Sequence, residues 1–367
     1  MSFTGQLRDG VLAAWCAEHL PGTGDAVRAL GRATAGVTPL RPDGATGARH
    51  WAQVGEVVSS RLSALVQDAA PYASLLGFGA SGLASPQALN RISGGYPAQA
   101  AVLAEEPELV PVALGVHPTP SDVVALPVPR HAPPERWWGD AVLADLAASE
   151  RDRRRRDAPT GTVGDDDTER GLARDHHVWT LGEDCYRSGA VPRPLAAYAD
   201  RTGSPGVEQL RGLAPRAVVD DAAAVVGRVA TSDTLAQWRS WAGDPPPGQA
   251  LGYAAPVLWP RWAEADLLVG DTLVEVKTVL RADQKQRSAQ WLCQLLGYAW
   301  LDDGDRWGIR HVAFYLARHG VVVHWTVDEL AALLVGDPAR VGAVRADFRA
   351  VARRAAGAEG APPLPPV

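Results

Sequence analysis

Glu264-Ala-Asp266-Leu-Leu-Val-Gly270-Asp-Thr-Leu-Val-Glu275-Val-Lys277-Thr278 is the stretch on which the reading of this chain turns. Two short apolar runs, residues 264–269 and 272–280, flank Gly270-Asp271, a pair suited to a tight hairpin turn. Side chains alternate faces along a strand, so Glu275 and Lys277 share one face while Val274, Val276 and Thr278 take the other. Asp266, on the preceding strand, reaches the Glu275 face across the hairpin. Two carboxylates and an amine therefore converge in an otherwise apolar sheet, where an unpaired charge is costly. A divalent cation resolves the cost. The carboxylates of Asp266 and Glu275, the backbone carbonyl of Val276 and water make an oxygen-rich site suited to Mg2+ or Mn2+. Such a cation lowers the pKa of a bound water and neutralises a phosphate, while the Lys277 amine positions that water or stabilises developing charge. The ordinary alternative is a surface hairpin with a Glu/Lys cross-strand pattern. Lysine usage weighs against it: of 36 basic residues only Lys277 and Lys285 are lysine, and both fall in one nine-residue window.

Working outward, residues 288–302 read as a helix that is apolar nearly all round, as a buried helix should be. Its polar positions Gln290, Gln294 and Tyr298 are spaced by four and form one stripe. Buried glutamines need partners. A stripe facing the hairpin holds the carboxylates in place or contacts a nucleic-acid backbone; the bland alternative is a solvent edge. Before the hairpin, residues 250–258 suggest a strand. After the helix, residues 312–317 and 321–327 suggest a second hairpin around His319-Gly320. Asp328 is a candidate cap for a helix over 329–334, and another helix spans 341–356 before a Pro-rich tail.

Asp266, the Glu275-Val276-Lys277 triplet and Gln294-x-x-x-Tyr298, in this order and spacing, resemble the PD-(D/E)XK nuclease superfamily. The Gln-x-x-x-Tyr helix resembles its RecB-type branch, which includes the CRISPR-adaptation exonucleases. The resemblance covers roughly residues 250–330. It implies an α/β fold: a restriction-endonuclease-like mixed sheet flanked by helices in the C-terminal part. It also implies metal ligation by Asp266 and Glu275, a catalytic Lys277, and DNA contact by Gln294 and Tyr298. Gln290, Lys285, Arg287 and Arg261 are further candidates for binding the substrate, and Trp259 and Trp262, flanking Arg261, for stacking on bases. Ala265 stands where the family often has proline. Some members hold an iron–sulfur cluster with four cysteines; the scattered Cys16, Cys185 and Cys293 exclude it here. The family often adds an acid or histidine from an earlier helix, for which Asp220, Asp221 and His50 are candidates.

The remaining sequence reads as support for this core. Residues 1–150 form a mainly helical region that selects the substrate or a partner, with helices over 8–19, 50–68 and 139–149, the last opened by Trp137-Trp138. Residues 77–85 and 94–97 are turn-rich, and 118–134 are a Pro-rich loop. Residues 151–170 carry a basic and an acidic block and read as a charged flexible linker, with phosphate contact by Arg153–Arg156 as the functional alternative. Helices return over 169–189 and up to 242, so the nuclease domain is taken as 171–345 and the C-terminal helix end and tail as 346–367.

A net charge of −6 argues against a general polyanion-coating protein, though a local basic rim suffices for steering. Three dispersed cysteines give no disulfide framework, and no 18-residue apolar run is present, so a cytoplasmic protein with no membrane partner is expected. His176-His177 with Cys185 matches no common zinc spacing. Gly77–Gly82 lacks the Lys-Ser/Thr ending of a phosphate-binding loop. No ATPase motif is present, so a motor, if one is used, is a separate helicase or defence-system subunit. The expected activity is Mg2+- or Mn2+-dependent DNA cleavage in defence against foreign DNA or in repair and recombination. An idle nuclease-fold scaffold and an RNase are the alternatives.

Overall fold

The computed structural model describes residues 2–44, 46–100, 139–199, 206–260 and 262–361. The expected 118–134 loop, the Trp137-Trp138 pair and Arg261 lie outside the described residues. Strands run in chain order as β1 (Gly252–Ala254), β2 (Val257–Trp259), β3 (Ala263–Glu264), β4 (Leu267–Val269), β5 (Thr272–Lys277), β6 (His311–Leu316) and β7 (Val321–Thr326). The rest of the described chain is mainly helical. It divides into two compact units, and both are discontinuous in sequence.

The sheet unit comprises Met1–Leu40, Ala236–Gly243 and Ala255–Val367. Its main strands lie in the order β4-β5-β6-β7, with β5/β6 parallel and the two outer pairs antiparallel, a mixed sheet as expected. β2 and β3 pair antiparallel beside it. The β4–β5 turn needs glycine twice over. Gly270 has φ 56°, and a Cβ there would lie 2.2 Å from the Trp241 carbonyl oxygen. β5 is buried along Thr272–Val276 because a parallel neighbour on one side and helices over the sheet leave it little contact with water. The helix Lys285–Leu301 starts one turn earlier than its apolar pattern suggested and buries Leu292, Leu295 and Leu296 completely. The helix after β7, Val327–Val335, is capped by Thr326 in a capping box with Glu329, not by Asp328.

The first forty residues belong to this unit, so the division at residue 150 does not hold. The physical reason is aromatic. Phe3 is fully buried and its ring lies 5.3 Å from Trp262, 5.0 Å from Tyr298 and 6.3 Å from Phe348. The Trp15 indole donates to Asp347 at 2.7 Å. Burying rings of this size outweighs sequence distance. The single helix expected over 8–19 is two, Phe3–Asp9 and Val11–His19, broken at extended Gly10.

The helical unit comprises Arg41–Leu235 and Asp244–Ala254. Its centre is the 23-residue helix Asp166–Ser188, packed by Ala48–Val66, Tyr72–Ala80 and Arg216–Thr231. Residues 171–235 therefore belong with this unit and not with the sheet. The glycines read as a turn at 77–82 lie in or just after the helix Tyr72–Ala80. The smallness of Gly77 serves close packing, since a Cβ there would sit 1.8 Å from the Gly182 carbonyl oxygen, while Gly82, with φ 67°, stands in a turn after the helix.

The expected linker is also helical at both ends. Its basic block finishes the helix Gly139–Asp157, and its acidic block caps and opens Asp166–Ser188 through Asp165. Opposite charges there pair inward. Arg154 is buried between Glu150 and Asp68, and Glu169 forms a bidentate pair with buried Arg61, both contacts at 2.8 Å. Arg153 faces Asp175 at 3.7 Å. No helix among the described residues is long and apolar enough to cross a membrane.

Candidate active site

The hairpin delivers the two carboxylates together. The register Leu267↔Val274, continued by one residue, sets Asp266 opposite Glu275. Asp266 is fixed there because its Oδ2 accepts the Val276 N–H at 2.8 Å. Glu275 is 2% exposed. Its Oε2 accepts from Lys277 Nζ at 2.8 Å and from Gln294 Nε2 at 3.1 Å. Its Oε1 is buried and has no hydrogen-bond partner. An orphaned carboxylate oxygen in the interior costs free energy on the order of 1–3 kcal/mol or more unless something fills its lone pairs.

The electrostatics follow from this crowding. Burial, and then the Asp266 charge, push the Glu275 carboxyl up to about 7, although Lys277 pulls the other way. Burial alone would lower the Lys277 ammonium, but the Glu275 and Asp266 carboxylates outweigh it and hold it above its ordinary value. Burial, followed by Glu275, keeps the Tyr298 phenol well above its usual range.

Gln294 reaches this pair from the Lys285–Leu301 helix and also donates to the Tyr298 hydroxyl at 3.3 Å. The expected stripe thus meets the hairpin at Gln294 and Tyr298. Gln290, one turn back, is half-buried, and Lys285 and Arg287 are exposed. Val276 enters through its amide, which holds Asp266. Sequence reasoning missed Trp291, whose ring lies beneath two cations: Lys277 Nζ at 5.7 Å and the Arg287 guanidinium at 5.2 Å from its centroid. The spacing Arg287, Trp291, Gln294, Tyr298 follows one helix face and was available as a signal.

Other expectations are corrected. Trp259 and Trp262 are 4% and 3% exposed and meet edge to face with centroids 5.3 Å apart, so their rings serve the core and not bases. The upstream candidates lie in the helical unit, engaged there: His50 pairs with Asp221 at 2.8 Å, and Asp220 with Arg170 at 3.2 Å. His176 is buried and bonds Ser60 at 2.8 Å.

The donor set fits a hard cation in part. Two carboxylates meet, one with a vacant buried oxygen, while among the described residues no group of three or more His, Cys, Asp or Glu side chains is gathered to hold a metal. Main-chain oxygen and water must complete such a shell, as is usual for Mg2+. Comparison with family models, curated proteins and solved structures returns no match for this chain.

Proposed function

We propose that this chain is a metal-dependent nuclease that hydrolyses DNA phosphodiester bonds, with Asp266, Glu275 and Lys277 as its reacting centre and a restriction-endonuclease-like arrangement of the sheet unit. The observation that carries the reading is the buried Glu275 oxygen without a partner, in a carboxylate already served by Lys277 and Gln294. A surface hairpin has no reason to bury such a group.

Asp266 and Glu275 would hold Mg2+ or Mn2+, with the Val276 carbonyl as a third oxygen. The cation supplies an activated water and neutralisation of phosphate charge. Everything else is done by the chain. The Val276 amide fixes the Asp266 carboxylate, and Gln294 orients Glu275 while Tyr298 accepts its second amide contact. Lys277 donates one N–H to Glu275 and keeps two for the incoming phosphate or the attacking oxygen. A compact ammonium at this point stabilises charge that grows as the bond breaks.

The helical unit is assigned to substrate or partner selection, with strand separation left to another chain. Defence against foreign DNA and repair are both suitable settings for the activity. The test is incubation of purified full-length protein with linear duplex, circular duplex and single-stranded DNA, and with RNA, in Mn2+ or EDTA. Cleavage of DNA in Mn2+ alone is expected. Cleavage of RNA only would reassign the substrate, and binding without cleavage would make the chain a scaffold.

A further inference from the structure

Trp291 is 9% exposed and sits four residues after Arg287 and three before Gln294 on the Lys285–Leu301 helix. Its ring lies under the Lys277 ammonium and the Arg287 guanidinium at once. Lys277 is otherwise paired only with Glu275, and exposed Arg287 has no ion pair among the described residues. An aromatic face attracts a cation without occupying its N–H groups, as a carboxylate would. Both cations are therefore aimed and still free to donate. They also carry like charge, Arg287 acting against the Lys277 proton, and a bound anion relieves that repulsion.

We infer that Trp291 is a positioning residue that couples Lys277 to Arg287, so that the site reads a second phosphate beside the one it attacks. The inference rests on the nuclease reading and narrows its substrate. Arg287 presents a planar fork suited to phosphate, while Lys277 addresses the scissile group. A substrate must then offer neighbouring phosphates, as a polynucleotide strand does and an isolated phosphodiester does not.

The test is a double-mutant cycle on the full chain with Trp291→Leu, Arg287→Gln and both together. Binding of a fluorescein-labelled duplex oligonucleotide is measured in Ca2+ over a range of salt. Each single variant is expected to weaken binding about tenfold and to flatten the salt dependence by about 0.9, one phosphate contact. The double variant should lose no more than either single one. Trp291→Phe keeps an aromatic face and should restore the slope, which a merely structural role would not require. In Mn2+, the ratio of DNA turnover to bis(4-nitrophenyl) phosphate turnover should fall about tenfold in Trp291→Leu. Additive losses, an unchanged slope, or a correctly folded Trp291→Phe that binds as poorly as Trp291→Leu would overturn the coupling. If Trp291→Leu fails to fold, Arg287→Gln and Trp291→Phe still decide it against wild type: the first should flatten the slope by about 0.9 and the second should bind with the wild-type slope. Wild-type protein that shows this coupling but cuts nothing in Mn2+ would retain the two-phosphate site and remove the nuclease reading. Wild-type protein that cuts DNA without the coupling would remove only this inference.

Discussion

Replacing Glu275 by glutamine should change how the metal-free protein responds to pH. In the folded chain the carboxyl is pushed up to about 7 from an ordinary 4.5, chiefly by burial and then by Asp266. The native state therefore keeps a proton that the unfolded chain has released across this window. Stability from that proton is fully present below about 4.5 and is lost as pH rises through about 7. A difference of about 2.5 units at 1.36 kcal/mol each amounts to about 3 kcal/mol. Glutamine mimics the protonated acid and carries no charge to bury, so Glu275→Gln should escape this loss. Chemical denaturation in EDTA, from below pH 4.5 to above pH 7, measures it. The stability of the variant relative to wild type should climb by about 3 kcal/mol across the window. Mn2+ at about a thousandfold excess over Kd should reverse the order above it, because only wild type gains the binding term, about 4.1 kcal/mol. A flat difference between the two proteins across the window, or one of opposite sign, would show that Glu275 is not held in the way the structure describes.

Three further outcomes follow from single side chains. Lys277→Arg should keep the fold but lose at least about tenfold in cleavage rate, or 1.4 kcal/mol of barrier, because a planar fork does not replace a compact ammonium wedged between Glu275 and Trp291; a DNA nicking assay in Mn2+ with thermal melting as control checks it. Gln294→Ala removes the contacts to Glu275 and Tyr298 and should slow cleavage while leaving the melting temperature within a few degrees, read by the same pair of measurements. Arg61→Ala leaves the Glu169 charge buried without its ion-pair partner in the helical unit, with the Gly164 N–H still donating to it, and should cost about 3–5 kcal/mol in urea denaturation.

What was legible in the sequence was local. Alternation around Gly270-Asp271 gave the hairpin and the common face of Asp266, Glu275 and Lys277, and four-residue spacing brought Gln294 and Tyr298 to them. Element ends were less legible, because caps depend on one side chain: Thr326 and not Asp328 starts the helix after β7. The unit boundaries were not legible at all. Phe3 joins Tyr298 and Phe348 across most of the chain, and no periodicity marks such a contact. Charge misled in the stretch 151–170, since blocks of opposite sign resemble a solvated linker until Arg154 and Glu169 are seen to pair inward. Glycine misled at Gly77 for a related reason: a close helix crossing and a turn both favour it, and the Gly182 carbonyl distinguishes them, whereas Gly82 does stand in a turn.

The central claim is most directly tested by the rate of DNA phosphodiester cleavage by wild type and Asp266→Asn, at matched concentration, in Mn2+ and in EDTA. Asparagine keeps the size of the side chain and an oxygen to accept the Val276 amide, so the hairpin should stay intact. The account predicts cleavage by wild type in Mn2+, none in EDTA, and a loss on the order of a hundredfold or more, about 2.7 kcal/mol of barrier, in the folded variant. Equal cleavage by the two proteins, or cleavage that persists in EDTA, would contradict a metal-dependent site at Asp266 and Glu275.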